Sequence, residues 1–171
     1  SKCMIFSLLN EGPATIIGFI LALVVGITIH EFAHALAGFL QGDMTAKDEG
    51  RLTLNPLAHL DPMGSIMLLL AGFGWGKPTP YNPYNLSNQK WGPLLVAVAG
   101  PISNFLAVIL FFIGLIVLFP ILGGNNFLIL FLHFLLSVNL MLMIFNLIPI
   151  PPLDGSQILF SVLPPRYDRI K

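Results

Sequence analysis

Residues 16–40 read IIGFILALVVGITIHEFAHALAGFL, an apolar run that contains the pentapeptide His30-Glu31-Phe32-Ala33-His34. A run of about 20 apolar residues is long enough to cross a bilayer as one helix. Residues four apart lie on one helix face, so both imidazoles can point at one metal ion, a spacing typical of zinc sites. The glutamate between them is placed to act on a water bound to that ion. Ionisable groups inside a membrane-length segment are costly, which favours a functional site.

The composition predicts a membrane protein. Of the 171 residues, 56% are hydrophobic and only 9% are charged, whereas soluble domains carry about 25% charged residues. The formal net charge is zero, and no basic patch with interleaved aromatic residues is present, so nucleic acid is not an expected partner. Cys3 is the only cysteine, which excludes an internal disulfide and a cysteine-based zinc site.

Three stretches are long and apolar enough to span a bilayer: residues 14–41, 92–122 and 127–148. We therefore predict an all-α membrane protein in which residues 1–171 form a single domain around a core of three transmembrane helices. The Gly100-Pro101 pair is expected to break the second helix early, and the proline cluster after residue 148 to end the third. A short helix could follow at residues 154–163 within the tail, residues 150–171.

The connection between the first two spans, residues 42–91, contains a short apolar run and several proline-rich pieces. Non-helical backbone near a membrane must be buried in protein or face a wet cavity. We therefore expect a re-entrant segment or a β-hairpin that leans on the helical core.

The positions of lysine and arginine predict the orientation in the membrane. The connection and the tail hold seven of these residues, the N-terminus holds Lys2 alone, and the loop at residues 123–126 has none. The seven are Lys47, Arg51, Lys77, Lys90, Arg166, Arg169 and Lys171. The connection and the tail are therefore predicted to be cytoplasmic, with the histidine pair nearer the cytoplasmic end of the first helix.

Two histidines are too few for a catalytic zinc site, which has three protein ligands and an open position. The strongest candidate is Asp154, which follows a helix ended by prolines and could turn back toward the core as the third ligand. Its alternative role is to cap a tail helix, and the spacing favours the ligand only slightly. His59 and His133 are weaker candidates, and a turn or interface position is the alternative for His59.

Two motifs together resemble the site-2 protease family, intramembrane zinc metalloproteases that cleave membrane-spanning substrates. The pentapeptide lies in one predicted transmembrane helix, and residues 146–155, NLIPIPPLDG, match the family pattern Asn-x-x-Pro-x-Pro-x-Leu-Asp-Gly at every fixed position. Residues 99–104, AGPISN, and 75–83, WGKPTPYNP, are also similar to family segments. The resemblance covers residues 16–163 without a PDZ or CBS domain, which implies a compact member or the core of a longer one.

The resemblance implies a role for each motif residue. His30, His34 and Asp154 would bind one zinc ion, and Glu31 would be the general base that takes a proton from the zinc-activated water. Asn146 would stabilise the oxyanion of the transition state, although it also fits an inter-helix hydrogen bond.

The implied reaction is hydrolysis of peptide bonds in transmembrane segments, as in regulated intramembrane proteolysis, by a multi-pass protein in the cell membrane of a prokaryote. Its partners would be transmembrane protein substrates and the lipid bilayer, while a homo-oligomer or a regulatory membrane partner is left open. A substrate helix must unwind before it is cut, and an extended edge at residues 51–54 or 77–82 could pair with it. Asn55, Asp61 and Asn104 could line a water path from the cytoplasm, although Asn104 equally fits a hydrogen bond to a neighbouring helix.

Other functions are compatible with parts of the sequence. A membrane metal-binding or transport bundle would need the ligands but no general base. A non-catalytic relative would be expected to lack a catalytic residue, whereas this chain has all of them. An intramembrane metalloprotease of another class could use glutamate as its third ligand. The remaining glutamates, Glu11 and Glu49, lie outside the predicted spans.

Overall fold

The computed structural model describes residues 12–71 and 74–163, with the backbone alone for residues 68–71. The helices within these residues are α1 (Pro13–Leu40), α2 (Thr45–Asp48), α3 (Pro62–Ala71), α4 (Gly92–Leu122), α5 (Phe127–Asn146) and α6 (Asp154–Val162). Across this part of the chain, α1, α4 and α5 are the helices long and apolar enough to cross a membrane. The prediction of a mostly helical membrane protein with three such helices is confirmed.

Local sequence signals set the ends of the long helices. Pro13 begins α1, at a position where the missing N–H group of proline costs nothing. Asn126 caps α5, because its side chain accepts a hydrogen bond of 2.8 Å from the backbone N–H of Leu128. The same helix ends at Asn146, shortly before Pro149, since the residue before a proline disfavours helical geometry.

Helices α1 and α5 pack closely because α1 presents small residues to its neighbour. A Cβ atom added to Gly26 would lie 2.9 Å from Cδ1 of Leu142 and 3.3 Å from Cγ1 of Val138, so a larger residue would require these side chains to move. The buried apolar cluster lies at the same contact and consists of Ala22, Leu23, Leu135 and Val138. Close approach at small residues is a main source of helix association in membranes.

The prediction that Gly100-Pro101 breaks the second long helix is wrong. Helix α4 runs without interruption through Pro101 and Pro120. A proline removes one backbone hydrogen bond, but neighbouring helices and hydroxyl side chains compensate for such losses in a membrane. Pro101 leaves the carbonyl of Ala97, four residues earlier, without its helical donor, and this single loss does not end the helix.

The predicted β-hairpin between the first two long helices is not supported. The described part of residues 42–91 contains no strand, and its sheet-like pairing is one antiparallel bridge between Leu60 and Gly76. Its other regular elements are the short helices α2 and α3 and two single 3₁₀ turns. Pro78, Pro80 and Pro83 lack the N–H groups that a hydrogen-bonded ladder requires, so this segment cannot form a central strand.

Side-chain hydrogen bonds hold the connection in place instead. The buried carboxylate of Asp43 accepts hydrogen bonds from the backbone N–H of Asn82 (2.7 Å) and the side-chain amide of Asn85 (3.1 Å). The guanidinium of Arg51, which is 2% exposed, donates to the carbonyl of Lys77. The backbone N–H of Lys77 donates to the carbonyl of His59 at 2.8 Å. Residues 77–82 are therefore fixed at both ends.

The predicted orientation stays a prediction. Lys2, Arg166, Arg169 and Lys171 lie outside the described residues, as does Cys3. Arg51 is buried in the protein rather than placed at a membrane surface.

Candidate metal centre

Three side chains from two distant segments converge at one point. His30 and His34, one turn apart on α1, place their Nε2 atoms 3.0 Å from each other. The Oδ2 atom of Asp154, at the start of α6, lies 3.0 Å from Nε2 of His30 and 3.3 Å from Nε2 of His34. All three residues are buried. Among the residues that the structure describes, they form a group whose ligand atoms are close enough together to hold a metal ion.

Hydrogen bonds to the other ring nitrogens determine which imidazole atoms face the centre. Nδ1 of His34 lies 2.8 Å from the carbonyl oxygen of Val96, which can only accept, so Nδ1 carries the proton. Nδ1 of His30 lies 2.6 Å from Oδ1 of Asn104. In neutral rings both Nε2 atoms therefore present lone pairs to the centre, which is the form that binds a metal.

The arrangement fits a zinc ion. Zinc binds nitrogen and oxygen ligands at about 2.0–2.2 Å in tetrahedral geometry, which places the ligand atoms about 3.3 Å apart. Oδ2 of Asp154 is buried and has no hydrogen-bond donor within the described residues, so three acceptors face one another. Burial raises the pKa of the Asp154 carboxyl, but imidazoles that carry a proton on Nε2 donate hydrogen bonds to it, which outweigh burial and hold the pKa at about 2. A bound metal ion would take the place of those protons and would face the carboxyl in its ionised form, as a ligand must be.

Gly100 provides the space for the two imidazoles, a role that the sequence did not reveal. A Cβ atom at this position would lie 2.7 Å from Nε2 of His30 and closer still to Nε2 of His34. Such distances are well inside van der Waals contact, so α4 can pass the metal centre only where it has no side chain. A glycine one residue before a helical proline is the signal that could have indicated a close approach.

A tight turn after α5 brings Asp154 to the centre. Gly155 permits this turn, because a Cβ atom there would lie 2.5 Å from the carbonyl oxygen of Ile148. Asp154 is the first residue of α6, and the capping position belongs to Leu153, which makes no side-chain cap. The alternative that Asp154 caps the tail helix is therefore wrong.

Glu31 lies beside the three converging residues and is held by the connection. Its Oε2 atom accepts a 2.9 Å hydrogen bond from the backbone N–H of Thr79. A cavity of about 510 Å³ contains Glu31, the three converging side chains and Asn146. Its other walls are apolar residues of α1 and α5 and the extended backbone that includes Pro78, Thr79 and Tyr81.

Asn146 lines the same cavity at the end of α5. Its Nδ2 atom donates a 3.0 Å hydrogen bond to the carbonyl of Leu142 in its own helix. A side-chain amide has two N–H groups, so one remains for a ligand. The alternative role for Asn146 was a hydrogen bond to another helix. Within the described residues, its side chain forms no such bond.

The remaining candidates lie elsewhere. His59 is fully buried in the connection, where its Nε2 atom lies 2.8 Å from the carbonyl of Thr53. Nδ1 of His133 lies 3.1 Å from the carbonyl of Ile129 in its own helix. Asn104 is 0% exposed and contacts His30 and Asn139. It cannot line a water path in this state, and its alternative, a hydrogen bond to a neighbouring helix, is confirmed.

Comparison with known proteins identifies relatives of this chain. The sequence profile of peptidase family M50 matches residues 122–171. "Putative zinc metalloprotease YwhC" of Bacillus subtilis is 44% identical over 85% of this chain and 69% of its own length. "Putative zinc metalloprotease Rip2" of Mycolicibacterium smegmatis is 32% identical over 92% of this chain and 63% of its own length. No solved structure matches the chain.

Proposed function

Because this chain belongs to peptidase family M50, the site-2 protease family, we propose that it is an intramembrane zinc metalloprotease that hydrolyses peptide bonds of transmembrane segments. The observation that carries the proposal is the convergence of His30, His34 and Asp154 in one cavity with Glu31 and Asn146. This set contains a complete ligand triad, a general base and an amide donor. The names of the relatives specify zinc as the metal.

Each residue of the set has a chemical task. A zinc ion held by the triad would supply an acidified water and a Lewis acid for the substrate carbonyl. Glu31 accepts the proton of the attacking water with Oε1, since Oε2 is occupied by Thr79, and delivers it to the leaving amine. Asn146 donates its second amide N–H to the developing oxyanion, a contribution worth about 10²–10³ in rate.

The cavity suits an unwound apolar peptide. Its walls of α1 and α5 are apolar, which favours side chains taken from a transmembrane segment. Of the two extended pieces that could pair with substrate, residues 77–82 are favoured because Pro78, Thr79 and Tyr81 face the cavity. Arg51 of the other piece is buried and holds the carbonyl of Lys77, so it supports the pairing segment rather than forming one.

The site is proposed to open toward the cytoplasm of a bacterial cell. Lys47, Lys77 and Lys90 lie in the connection that borders the cavity, and clustered positive charge favours the cytoplasmic side. The named relatives are bacterial proteins. Transmembrane proteins are the expected substrates, with regulated intramembrane proteolysis as the biological reaction, and residues 1–171 are proposed to act as one core domain.

The test is cleavage of a single-span reporter protein in liposomes by the wild type and by Glu31→Gln, with zinc measured in both. Cleavage by the wild type alone, with about one zinc ion bound to each protein, is the expected result. A metal transporter would instead retain both metal binding and zinc flux in Glu31→Gln, because transport needs ligands but no base. Cleavage by Glu31→Gln at the wild-type rate would show that Glu31 is not the base.

A further inference from the structure

We propose that Asn139 and Asn104 form a relay that keeps a proton on Nδ1 of His30, so that Nε2 is the ring nitrogen available to the metal. Both asparagines are positioning residues, since neither reaches the cavity. The inference rests on the proposed function only in naming zinc as the metal. It concerns the protonation of a ring nitrogen, which can be observed without proteolysis.

The relay crosses all three long helices in the buried interior. His30 lies on α1, Asn104 on α4 and Asn139 on α5, and both asparagines are 0% exposed. A buried amide without partners would cost about 1–3 kcal/mol. Both amides are instead hydrogen-bonded at each end, and this is why their orientation is determined.

The relay begins at a backbone carbonyl of α5. Nδ2 of Asn139 donates a 2.7 Å hydrogen bond to the carbonyl of Leu135, one turn earlier in the same helix. A carbonyl can only accept, so the nitrogen of the amide must face it and the oxygen must point away. Oδ1 of Asn139 is thereby directed at α4.

Asn104 transmits this orientation to α1. Its Nδ2 atom donates to Oδ1 of Asn139 at 2.8 Å and to the carbonyl of Gly26 at 3.3 Å. Two acceptors therefore fix the nitrogen of this amide as well, and its Oδ1 atom is left facing Nδ1 of His30 at 2.6 Å. An oxygen acceptor at that distance requires a proton on Nδ1.

The consequence for the metal is direct. If the amide of Asn104 were reversed, its NH₂ group would face Nδ1 of His30, and the ring proton would move to Nε2, where it blocks the metal. The reversal would also set Oδ1 of Asn104 against Oδ1 of Asn139 and the carbonyl of Gly26. Three acceptors would then meet without a proton, which the buried setting makes unfavourable.

The two histidines differ in how their tautomers are fixed. Nδ1 of His34 faces the backbone carbonyl of Val96, which no substitution removes. Nδ1 of His30 faces a side chain whose orientation depends on a second side chain. Replacement of Asn139, which does not line the cavity, should therefore change His30 and leave His34 unaffected.

The test is ¹⁵N NMR of histidine-labelled, zinc-free protein in lipid, together with zinc affinity measured by competition with a chelating dye. The chain has four histidines, and the His30 signals are those missing from His30→Gln. In the wild type we expect Nδ1 of His30 to be protonated, whether or not Nε2 shares a second proton with the neighbouring Asp154 carboxylate. In Asn139→Leu we expect a mixture of both tautomers and zinc affinity reduced about 10–100-fold.

Two further variants separate the relay from a general packing effect. Asn139→Asp should restore both readouts, because a buried, protonated carboxyl can donate to Leu135 and accept from Asn104 as the amide does. Ser103→Ala removes a neighbouring polar contact between α4 and α1 and should leave both readouts unchanged.

An unchanged His30 tautomer in Asn139→Leu would overturn the relay, whether or not zinc affinity falls. Equal losses in Asn139→Leu and Ser103→Ala would do the same. The tautomer of His30 and the zinc affinity could change as expected in Asn139→Leu while the wild type cleaves no reporter. That result would support the relay and reject the protease assignment.

Discussion

Thr79 holds Glu31 at two points. The backbone N–H of Thr79 donates to Oε2 of Glu31 at 2.9 Å, and its hydroxyl donates to the Glu31 backbone carbonyl at 3.0 Å. The connection thereby fixes both the carboxylate and the turn of α1 that bears it. A general base acts only from a defined position, so the contact links the connection to catalysis.

We expect Thr79→Val to reduce kcat about 2–10-fold, because it removes the hydroxyl contact worth about 0.5–1.5 kcal/mol and keeps the backbone N–H. Thr79→Ser retains the hydroxyl and should behave like the wild type. Reporter cleavage at several substrate concentrations separates kcat from KM. An effect confined to KM would show that Thr79 contacts the substrate rather than positioning the base.

Gly100→Ala should disrupt the metal centre, because the added Cβ would lie 2.7 Å from Nε2 of His30. Overpacking costs about 1–3 kcal/mol, and we expect zinc affinity to fall about tenfold or more. Gly114→Ala in the same helix is the matched control, since its Cβ would contact Leu132 at an ordinary 3.7 Å. Full zinc binding by Gly100→Ala would contradict the described approach of α4.

Asp43→Asn should lower stability in a pH-dependent way. Burial raises the pKa of Asp43, but hydrogen bonds from Thr45, Asn82 and Asn85 outweigh it and leave the pKa below its ordinary value of 3.8. A lowered carboxyl pKa stabilises the folded state above the unfolded value of 3.8, and that stabilisation is lost as pH falls through the folded value.

At neutral pH the Asp43→Asn substitution should therefore cost about 1–3 kcal/mol, because the N–H of Asn82 loses its acceptor. The difference from the wild type should shrink below about pH 4, and melting temperatures in detergent would measure it. Exposed Asp48 supplies the control Asp48→Asn, which should melt like the wild type throughout. A difference between wild type and Asp43→Asn that stays constant with pH would argue against an ionised Asp43.

Removal of zinc should destabilise the wild type but not Asp154→Asn. Free zinc at about 100 times its Kd stabilises a folded protein by about 2.7 kcal/mol, so a chelator should lower the melting temperature. Asp154→Asn replaces a charged ligand by a neutral amide and should bind zinc too weakly to respond. Glu49→Gln, at an exposed carboxylate, should respond like the wild type, and a chelator response retained by Asp154→Asn would exclude Asp154 as a ligand.

Predictions based on proline positions were correct at one place in the chain and wrong at two others. The proline cluster correctly predicted the end of α5, because the helix stops at Asn146, shortly before Pro149. The break predicted at Pro101 was wrong, because an interrupted helix in a bilayer exposes more unpaired backbone than one missing hydrogen bond does. The β-hairpin expected in the connection was also wrong. Side chains such as Asp43 and Arg51 form hydrogen bonds with backbone groups that were expected to pair between strands.

The sequence by itself determined the features that depend on neighbours along one helix. Continuous apolar runs located the three long helices, and the four-residue spacing placed His30 and His34 on one face, because helical periodicity is a local property. The position of Asp154 after the proline-ended helix made it a candidate ligand but left the capping role open, and the resemblance to a known family favoured the ligand role.

Only the tertiary structure decided how distant residues meet. Asn104 reaches His30 across 74 positions of sequence and Thr79 reaches Glu31 across 48, and neither pair follows a local pattern. Gly100 is required because α4 crosses α1 at the two imidazoles. Such contacts depend on how whole helices pack against each other. That packing is determined by many side chains along each helix, and no single motif contains them all.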